Sequence, residues 1–315
     1  MSPFLVKSKT ENPIPVPCGK CPACAARRTS AWSFRLLQED KHAESSHFIT
    51  LTYDTQHAPI SQNGFMALDK RDLQLFFKRL RKAHSKGVQH GRPQTIGQQR
   101  SPGQAKQHVS LKYYAVGEYG GKSYRPHYHI ILFNAKVELI QDAWGLGHVH
   151  YGDVNGASVG YTLKYISKPK RIPLHRNDDR QPEFSLMSKG LGSSYCKAQT
   201  IFVGQTVIHD GEECIEIVKI KKGYGNMVDW HKSSLENRMY CTLPDGKKLA
   251  MPRYYKDRIY TTQERARAGF FTRIESLKRQ AEAEASDPNY QVNKDKAILA
   301  AFEKQKKNAT KLDKL

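Results

Sequence analysis

Acidic residues are scarce in this chain of 315 residues: 30 Asp and Glu stand against 51 Lys and Arg, a formal net charge of +21. A field of that sign gathers polyanions, nucleic acid first and an anionic membrane second. Long apolar runs are missing. None approaches the ~20 residues of a membrane span, and the N-terminus has no signal-peptide core. The expectation is a soluble protein of a reducing compartment, with no membrane partner. There is no internal repeat and no Gly-x4-Gly-Lys-Ser/Thr loop to cradle a nucleoside triphosphate. Cysteine is sparse, six in all: Cys18, Cys21, Cys24, Cys196, Cys214 and Cys241. Three of them fall within seven residues, which suits a metal better than a disulfide framework.

Apolar residues are not lacking. They make up 38% of the chain, with Phe, Trp and Tyr at 10%. A buried core is expected and a wholly disordered chain is excluded. Residues 1–17 are Pro-rich and without periodicity, and read as an extended arm. A helix is predicted at about 25–43, with Trp32, Leu36 and Leu37 on its apolar face. His47–Tyr53 is rich in β-branched and aromatic residues and reads as a strand. Asp69 can cap a helix running to about His84, in which Leu73, Phe76, Phe77 and Leu80 form one buried stripe. Lys70, Arg71, Lys78, Arg79, Arg81 and Lys82 fall mostly on its other face, a solvated surface or a contact to a DNA backbone. Residues 85–108 read as a loop.

Leu111–Glu118 and His127–Phe133 follow as a hairpin. After them come a short helix at 137–144, a strand at 147–153 and a third helix from Ser158 to Lys168, stopped by Pro169. The order β-α-β-β-α-β-α predicts an α+β fold, a mainly antiparallel sheet with helices packed on one side. Residues 185–260 look strand-rich, with turns at Asp210-Gly211 and Asp245-Gly246. Residues 262–310 look helical.

The chemistry centres on Arg125-Pro-His-Tyr-His129. Alternate residues of a strand share a face, so His127 and His129 can bind one cation while Tyr128 points the other way. A hairpin turning near Lys122 and Ser123 brings Glu118 opposite His127, with Cβ atoms about 4.5–5.5 Å apart. Two imidazoles and a carboxylate then leave positions open for water and phosphate, which suits Mg²⁺ or Mn²⁺ acting on a phosphodiester. The bland alternative is that Glu118 ends its strand in solvent. A second pair, His148 and His150, has no acidic partner as well placed and reads as a decoy or a groove residue.

Tyr161 and Tyr165 stand at i and i+4 of the third helix, about 5–6 Å apart on one face. Lys164 and Lys168 each follow a tyrosine by three residues. A phenol is a poor nucleophile until a cation or metal favours its phenolate. Two such tyrosines on one face can serve two successive transesterifications. Taken alone, they are two aromatic core residues at helical spacing.

These patterns occur in an ordered set. It runs through Val16-Pro-Cys-Gly-Lys-Cys-Pro-Ala-Cys24 with Arg27-Arg28, Phe48-Ile-Thr-Leu-Thr-Tyr53, and Lys70-Arg-Asp-Leu-Gln-Leu-Phe-Phe-Lys-Arg-Leu80. It continues through Tyr114-Ala-Val-Gly-Glu-Tyr119, Arg125-Pro-His-Tyr-His129, Gly160-Tyr-Thr-Leu-Lys-Tyr-Ile-Ser-Lys168, Glu183-Phe-Ser-Leu-Met-Ser188 and Pro252-Arg-Tyr-Tyr-Lys256. The set resembles the replication initiator proteins of gokushovirus-type microviruses. The resemblance implies an HUH endonuclease domain with an RRM-like sheet, acting on a single-stranded DNA origin in the host bacterial cytoplasm to start rolling-circle replication. It implies His127 and His129 as the metal-binding pair, Glu118 as third ligand, and Tyr161 and Tyr165 as paired nucleophiles. Tyr165 is the expected first attacker. Host DNA polymerase would extend the free 3′-OH and a host helicase would open the strand.

The expected layout is an arm and cysteine cluster at 1–24, a nuclease domain at 25–184, an accessory β-rich region at 185–260 and a basic helical tail at 261–315. Arg27, Arg28, Arg79 and Arg125 are candidate DNA contacts. Cys18, Cys21 and Cys24 have the spacing of thiolate metal sites. Structural Zn²⁺ is the expected occupant, with its fourth ligand from Cys196, Cys214, Cys241 or a histidine. An iron–sulfur cluster and a reduced cysteine turn are the alternatives. Rival functions are a relaxase or transposase of the same chemistry on another DNA, a non-enzymatic basic DNA-binding protein, and DNA condensation inside a capsid.

Overall fold

The structure, a computed structural model, describes residues 3–6, 14–86, 110–121, 123–167, 172–196, 200–209, 212–222, 227–233, 239–243 and 245–311. The expected loop at 85–108 lies from residue 87 onward outside this set, as does Lys168. Contacts divide the chain into two units. One comprises residues 1–25, 39–191 and 303–315; the other comprises 26–38 and 192–302.

In the first unit the Pro-rich arm is more than extended. Strands β1 (Pro3–Val6) and β2 (Ile14–Pro17) pair antiparallel, Pro3 opposite Pro17. A two-stranded ribbon is all edge, where proline's missing N–H need not break a ladder. Helix α1 (Pro22–Asp40) starts on a proline at its first position, three residues before the predicted start.

Strand β3 (Ser46–Thr52) alternates as its sequence requires. Ile49 and Leu51 are buried, while Phe48, Thr50 and Thr52 face the other way. After α2 (Lys70–Lys86), strands β4 (Lys112–Tyr119) and β5 (Pro126–Phe133) form the predicted hairpin. Then come α3 (Ile140–Trp144), β6 (Val149–Gly152), α4 (Gly156–Ser167) and β7 (Phe184–Met187). The five strands make one antiparallel sheet in the order β6-β3-β5-β4-β7. The fold class is α+β, as expected. Because β7 is a strand of this sheet, the boundary expected at 184/185 falls inside it, and the first unit continues to residue 191.

One face of the sheet carries Ile49, Leu51, Ala115, Tyr128, Ile130 and Leu132. They pack into one core with Leu73, Phe76, Phe77 and Leu80 of α2 and Trp144 of α3. Burial of each such large side chain contributes about 1.5–3 kcal/mol. Asp69 caps α2 by accepting the Arg71 N–H at 2.6 Å. Tyr128, the residue between the two histidines, reaches across this core. Its hydroxyl accepts the Asp69 N–H (3.0 Å), donates to the Asp69 carbonyl (2.7 Å) and meets Tyr53 Oη at 2.8 Å.

The prediction of helices on one side needs correction. Helix α4 packs on the opposite face, against β4 and β5. Amphipathic periodicity tells which side of a helix is buried but not which face of a sheet buries it.

In the second unit, β8 (Thr200–His209) and β9 (Glu212–Lys222) form a hairpin with a register shift between Val203 and Gly204. The turn expected at Asp210-Gly211 falls outside the described residues. Helix α5 (Met227–Lys232) precedes the short pair β10 (Tyr240–Thr242) and β11 (Lys248–Ala250), joined through the predicted Asp245-Gly246 turn, with Gly246 at φ 78°. Pro252-Arg-Tyr-Tyr-Lys256 opens a helix, α6 (Arg253–Ile259), so the region is less strand-rich than expected. Phe34, Tyr195, Cys241, Met251, Tyr255, Ile259 and Tyr260 form its core. The C-terminal region holds two helices rather than one, α7 (Thr262–Ser286) and α8 (Tyr290–Lys311). A Thr261–Glu264 capping box starts α7, and Pro288 interrupts the helical run.

Candidate metal and tyrosine site

The β4–β5 register sets Glu118 directly opposite His127, and the β3–β5 register sets Thr52 opposite His127 and Thr50 opposite His129. Directly paired residues share a face. The two imidazoles and the carboxylate therefore converge on the face away from Tyr128. Their ligand atoms all lie within 4.8 Å of one another. Glu118 Oε2 is 3.5 Å from His127 Nε2 and 3.3 Å from His129 Nε2. Glu118 and His129 are buried and His127 is half-buried.

Each histidine is oriented through its other nitrogen. His127 Nδ1 lies 3.1 Å from the Arg125 carbonyl, so it carries the proton and donates, which leaves Nε2 as a lone pair. His129 Nδ1 meets Thr50 Oγ1 at 3.0 Å. This is the arrangement found around metal-ligating histidines, whose second nitrogen is held by an outer partner. Burial lowers the pKa of His129; Glu118 pulls it upward and His127 pushes it down further. A neutral imidazole is the form that binds a metal. The donor set fits a divalent cation with positions open to oxygen ligands.

Helix α4 brings the tyrosines. Asn155 caps it, its Oδ1 accepting N–H from Ala157 (2.8 Å) and Ser158 (2.9 Å). Val159, Thr162 and Leu163 are buried, which turns Tyr161 toward the triad. The Tyr161 ring stands edge-on to His129, centroids 5.0 Å apart and planes at 87°, and near-perpendicular to Phe48 at 6.5 Å. Phe48 stacks parallel to His129 at 5.9 Å. Lys164 Nζ sits 4.5 Å from the Tyr161 ring centroid. Tyr165 is on the same helix one turn on, and its side chain is outside the described residues.

Three other expectations change. Arg79, a candidate DNA contact, caps α3 instead. Its Nε donates to the Ala143 carbonyl (2.6 Å) and Nη2 to that of Trp144 (3.0 Å), on the sheet face away from the triad. Arg125 stays beside the site, with Nη2 donating to the Tyr53 carbonyl at 2.7 Å. Arg27 and Arg28 are exposed in the early turns of α1. His148 and His150 are not decoys by position. His150 lies opposite Thr50, which lies opposite His129, so all three stand in one row on the triad's face. Both histidines are exposed. Thr50 and Phe48 were not expected in the site. Their signal was the alternation of 48, 50 and 52, which needs the β3–β5 register to be assigned to a face. The other triplet of possible metal ligands among the described residues is Cys18, Cys21 and Cys24.

Residues 46–170, which contain both the triad and α4, match the replication-associated protein ORF2 family. The chain is 25% identical over 259 residues to Replication-associated protein VP4 of Bdellovibrio phage phiMH2K, covering 76% of this chain and 66% of that protein. It is 25% identical over 235 residues to Replication-associated protein ORF2 of Spiroplasma virus 4, covering 68% of each. It is 24% identical over 177 residues to Replication-associated protein ORF4 of Chlamydia phage 1, covering 49% of this chain and 38% of that protein. The chain thus spans just under two thirds of the phiMH2K protein's length. No solved structure matches. With one kind of protein recurring in every match, the chain is a relative of phage replication-associated proteins, of the gokushovirus-type initiator group that its own motifs resemble.

Proposed function

We propose that this protein nicks single-stranded DNA at a phage origin and joins it again, initiating rolling-circle replication through a 5′-phosphotyrosine. The observation that carries the reading is the edge-on approach of Tyr161 to His129, within a triad of converging metal ligands. Glu118, His127 and His129 would hold Mg²⁺ or Mn²⁺, which when bound withdraws charge from the scissile phosphate.

The chain's own residues do the rest. Basic side chains gather the strand by its phosphates, with Arg125 beside the site and Arg27 and Arg28 on α1. The Tyr161 or Tyr165 hydroxyl gives up its proton and its oxygen attacks phosphorus in line. The bond to the 3′ oxygen breaks, and that oxygen takes up a proton to become a free 3′-OH. Lys164, and Lys168 in the expected pairing, favour the phenolate electrostatically. The phosphotyrosine conserves the energy of the broken bond, so rejoining needs no triphosphate. After one round the second tyrosine repeats the attack and the 3′-OH closes the displaced strand. A host polymerase would extend the 3′ end and a host helicase would open the duplex, in the bacterial cytoplasm.

The test is a denaturing gel of the full chain with labelled single-stranded origin DNA, in Mn²⁺ and in EDTA. A covalent protein–DNA band is expected in Mn²⁺ alone, and its loss in the Tyr161→Phe, Tyr165→Phe double variant. Tight DNA binding without any adduct, across metals and origin sequences, would leave a non-enzymatic DNA-binding protein.

A further inference from the structure

The sharpest cluster outside the nuclease site is at the start of α1. The Sγ atoms of Cys18, Cys21 and Cys24 lie within 4.8 Å of one another. Cys21 and Cys24 are buried, 5% and 7% exposed. The chain leaves β2 at Pro17, turns through Gly19 in the left-handed region at φ 73°, and enters α1 at Pro22. That turn lets the Cys21 N–H donate to Cys18 Sγ at 3.2 Å. A backbone N–H aimed at a sulfur three residues back helps hold a thiolate pair in place around one ion.

Spacing separates the candidate occupants. In a tetrahedral zinc site with Zn–S of about 2.3 Å, neighbouring sulfurs stand roughly 3.8 Å apart. In a cubane iron–sulfur cluster each cysteine binds a different iron, which spreads the sulfurs much farther. Three thiols inside 4.8 Å need only a small contraction for the first and a large expansion for the second. A disulfide would use two of the three and strand the last. Charge agrees: one Zn²⁺ with three thiolates carries −1, and it would sit at the positive end of a helix and beside Lys20, Arg27 and Arg28 in sequence.

We infer that Cys18, Cys21 and Cys24 bind a single zinc ion that clips the β2 end to the first turn of α1. Among the described residues no fourth Cys, His, Asp or Glu joins the group, so its fourth position is taken by solvent or by a residue outside them. Cys241 lies in the second unit's core, and Cys196 packs against that core. The thiols enter as thiolates, so binding releases protons.

The full chain, purified without chelator under reductant, should carry about one zinc by elemental analysis. Cys18→Ser, Cys21→Ser and Cys24→Ser should each lower this toward zero. The Glu118→Gln, His127→Ala variant should keep its zinc, which separates this inference from the nuclease reading. As a check independent of variant folding, stripped wild-type protein given Co²⁺ should show sulfur-to-cobalt charge transfer and tetrahedral d–d bands, erased by Zn²⁺. Iron with acid-labile sulfide would overturn the inference. So would wild-type protein with no zinc and no thiolate–cobalt spectrum, or zinc retained by all three serine variants.

Discussion

His129 can bind a metal only while Nε2 is unprotonated, and burial together with His127 keeps its pKa below the ordinary histidine range. The Thr50 hydroxyl, 3.0 Å from Nδ1, sets the orientation of that ring. Thr50→Val keeps the β-branched shape and removes the hydroxyl. Mn²⁺ affinity is expected to fall by roughly 10–100-fold, with little change in melting temperature. Calorimetric titration against wild type measures this, and unchanged affinity would show that packing alone orients the ring. His127, His129 and Glu118 were legible from a two-residue period and one hairpin, because a strand's geometry dictates both. Thr50 and Phe48 were not, because they sit on a strand whose partner is 79 and more residues away in sequence.

At the scale of elements, register makes the site and loops hold it. Gly147, at φ 154°, shows how closely. A Cβ there would collide with the Thr52 carbonyl, at the point where the chain crosses β3 and places His148 and His150 on the triad's face. The segment after α4 is held by a buried bidentate pair. Arg180 Nε and Nη2 each donate to Asp178 at 2.8 Å, and the guanidinium lies over the Tyr119 and Tyr124 rings beside the β4–β5 turn.

The Arg180 hydrogen bonds hold the Asp178 carboxyl well below the usual carboxylate range. Above about pH 4 both folded and unfolded chains carry this charge and its stabilisation is complete. Below that, the unfolded chain takes up a proton first and the stabilisation drains away. Asp178→Asn should therefore melt roughly 5 °C below wild type at about pH 7, with the gap narrowing as pH falls through about 4. A gap that stays constant with pH would mean that packing, not charge, links this segment. Helix positions were readable here from caps and periodicity. The face chosen by α4 was not, nor was the capping role of Arg79, because each depends on what lies across the sheet.

The whole molecule carries a charge of +21, and no described helix is long and apolar enough to cross a membrane. Its predicted consequence is electrostatic. Neutralising about five phosphates of a single strand gives a slope of about −3.5 in log affinity against log salt. Fluorescence anisotropy over a salt series measures it. A slope flatter than about −1 would sink the idea that charge gathers the DNA. The division into units, with residues 26–38 of α1 counted in the second, also belongs to this scale. A sequence read in order suggests contiguous domains. Contacts are free to group residues 26–38 with 192–302, since a core is defined by what packs together and not by chain order.

Local rules were enough for the sequence to determine the α+β class, the β4–β5 hairpin, the stripe on α2, the pairing of His127 and His129 with Glu118, and the two tyrosines one turn apart. Each follows from a period, a cap or a turn within a few tens of residues. Tertiary structure alone decided that α4 lies over the triad, that Thr50 and the Arg125 carbonyl steer the two imidazoles, that His148 and His150 share their face, and that Arg79 caps α3. Those outcomes depend on strand order and register between segments distant in sequence, where side-chain complementarity across the sheet, and no local preference, makes the choice.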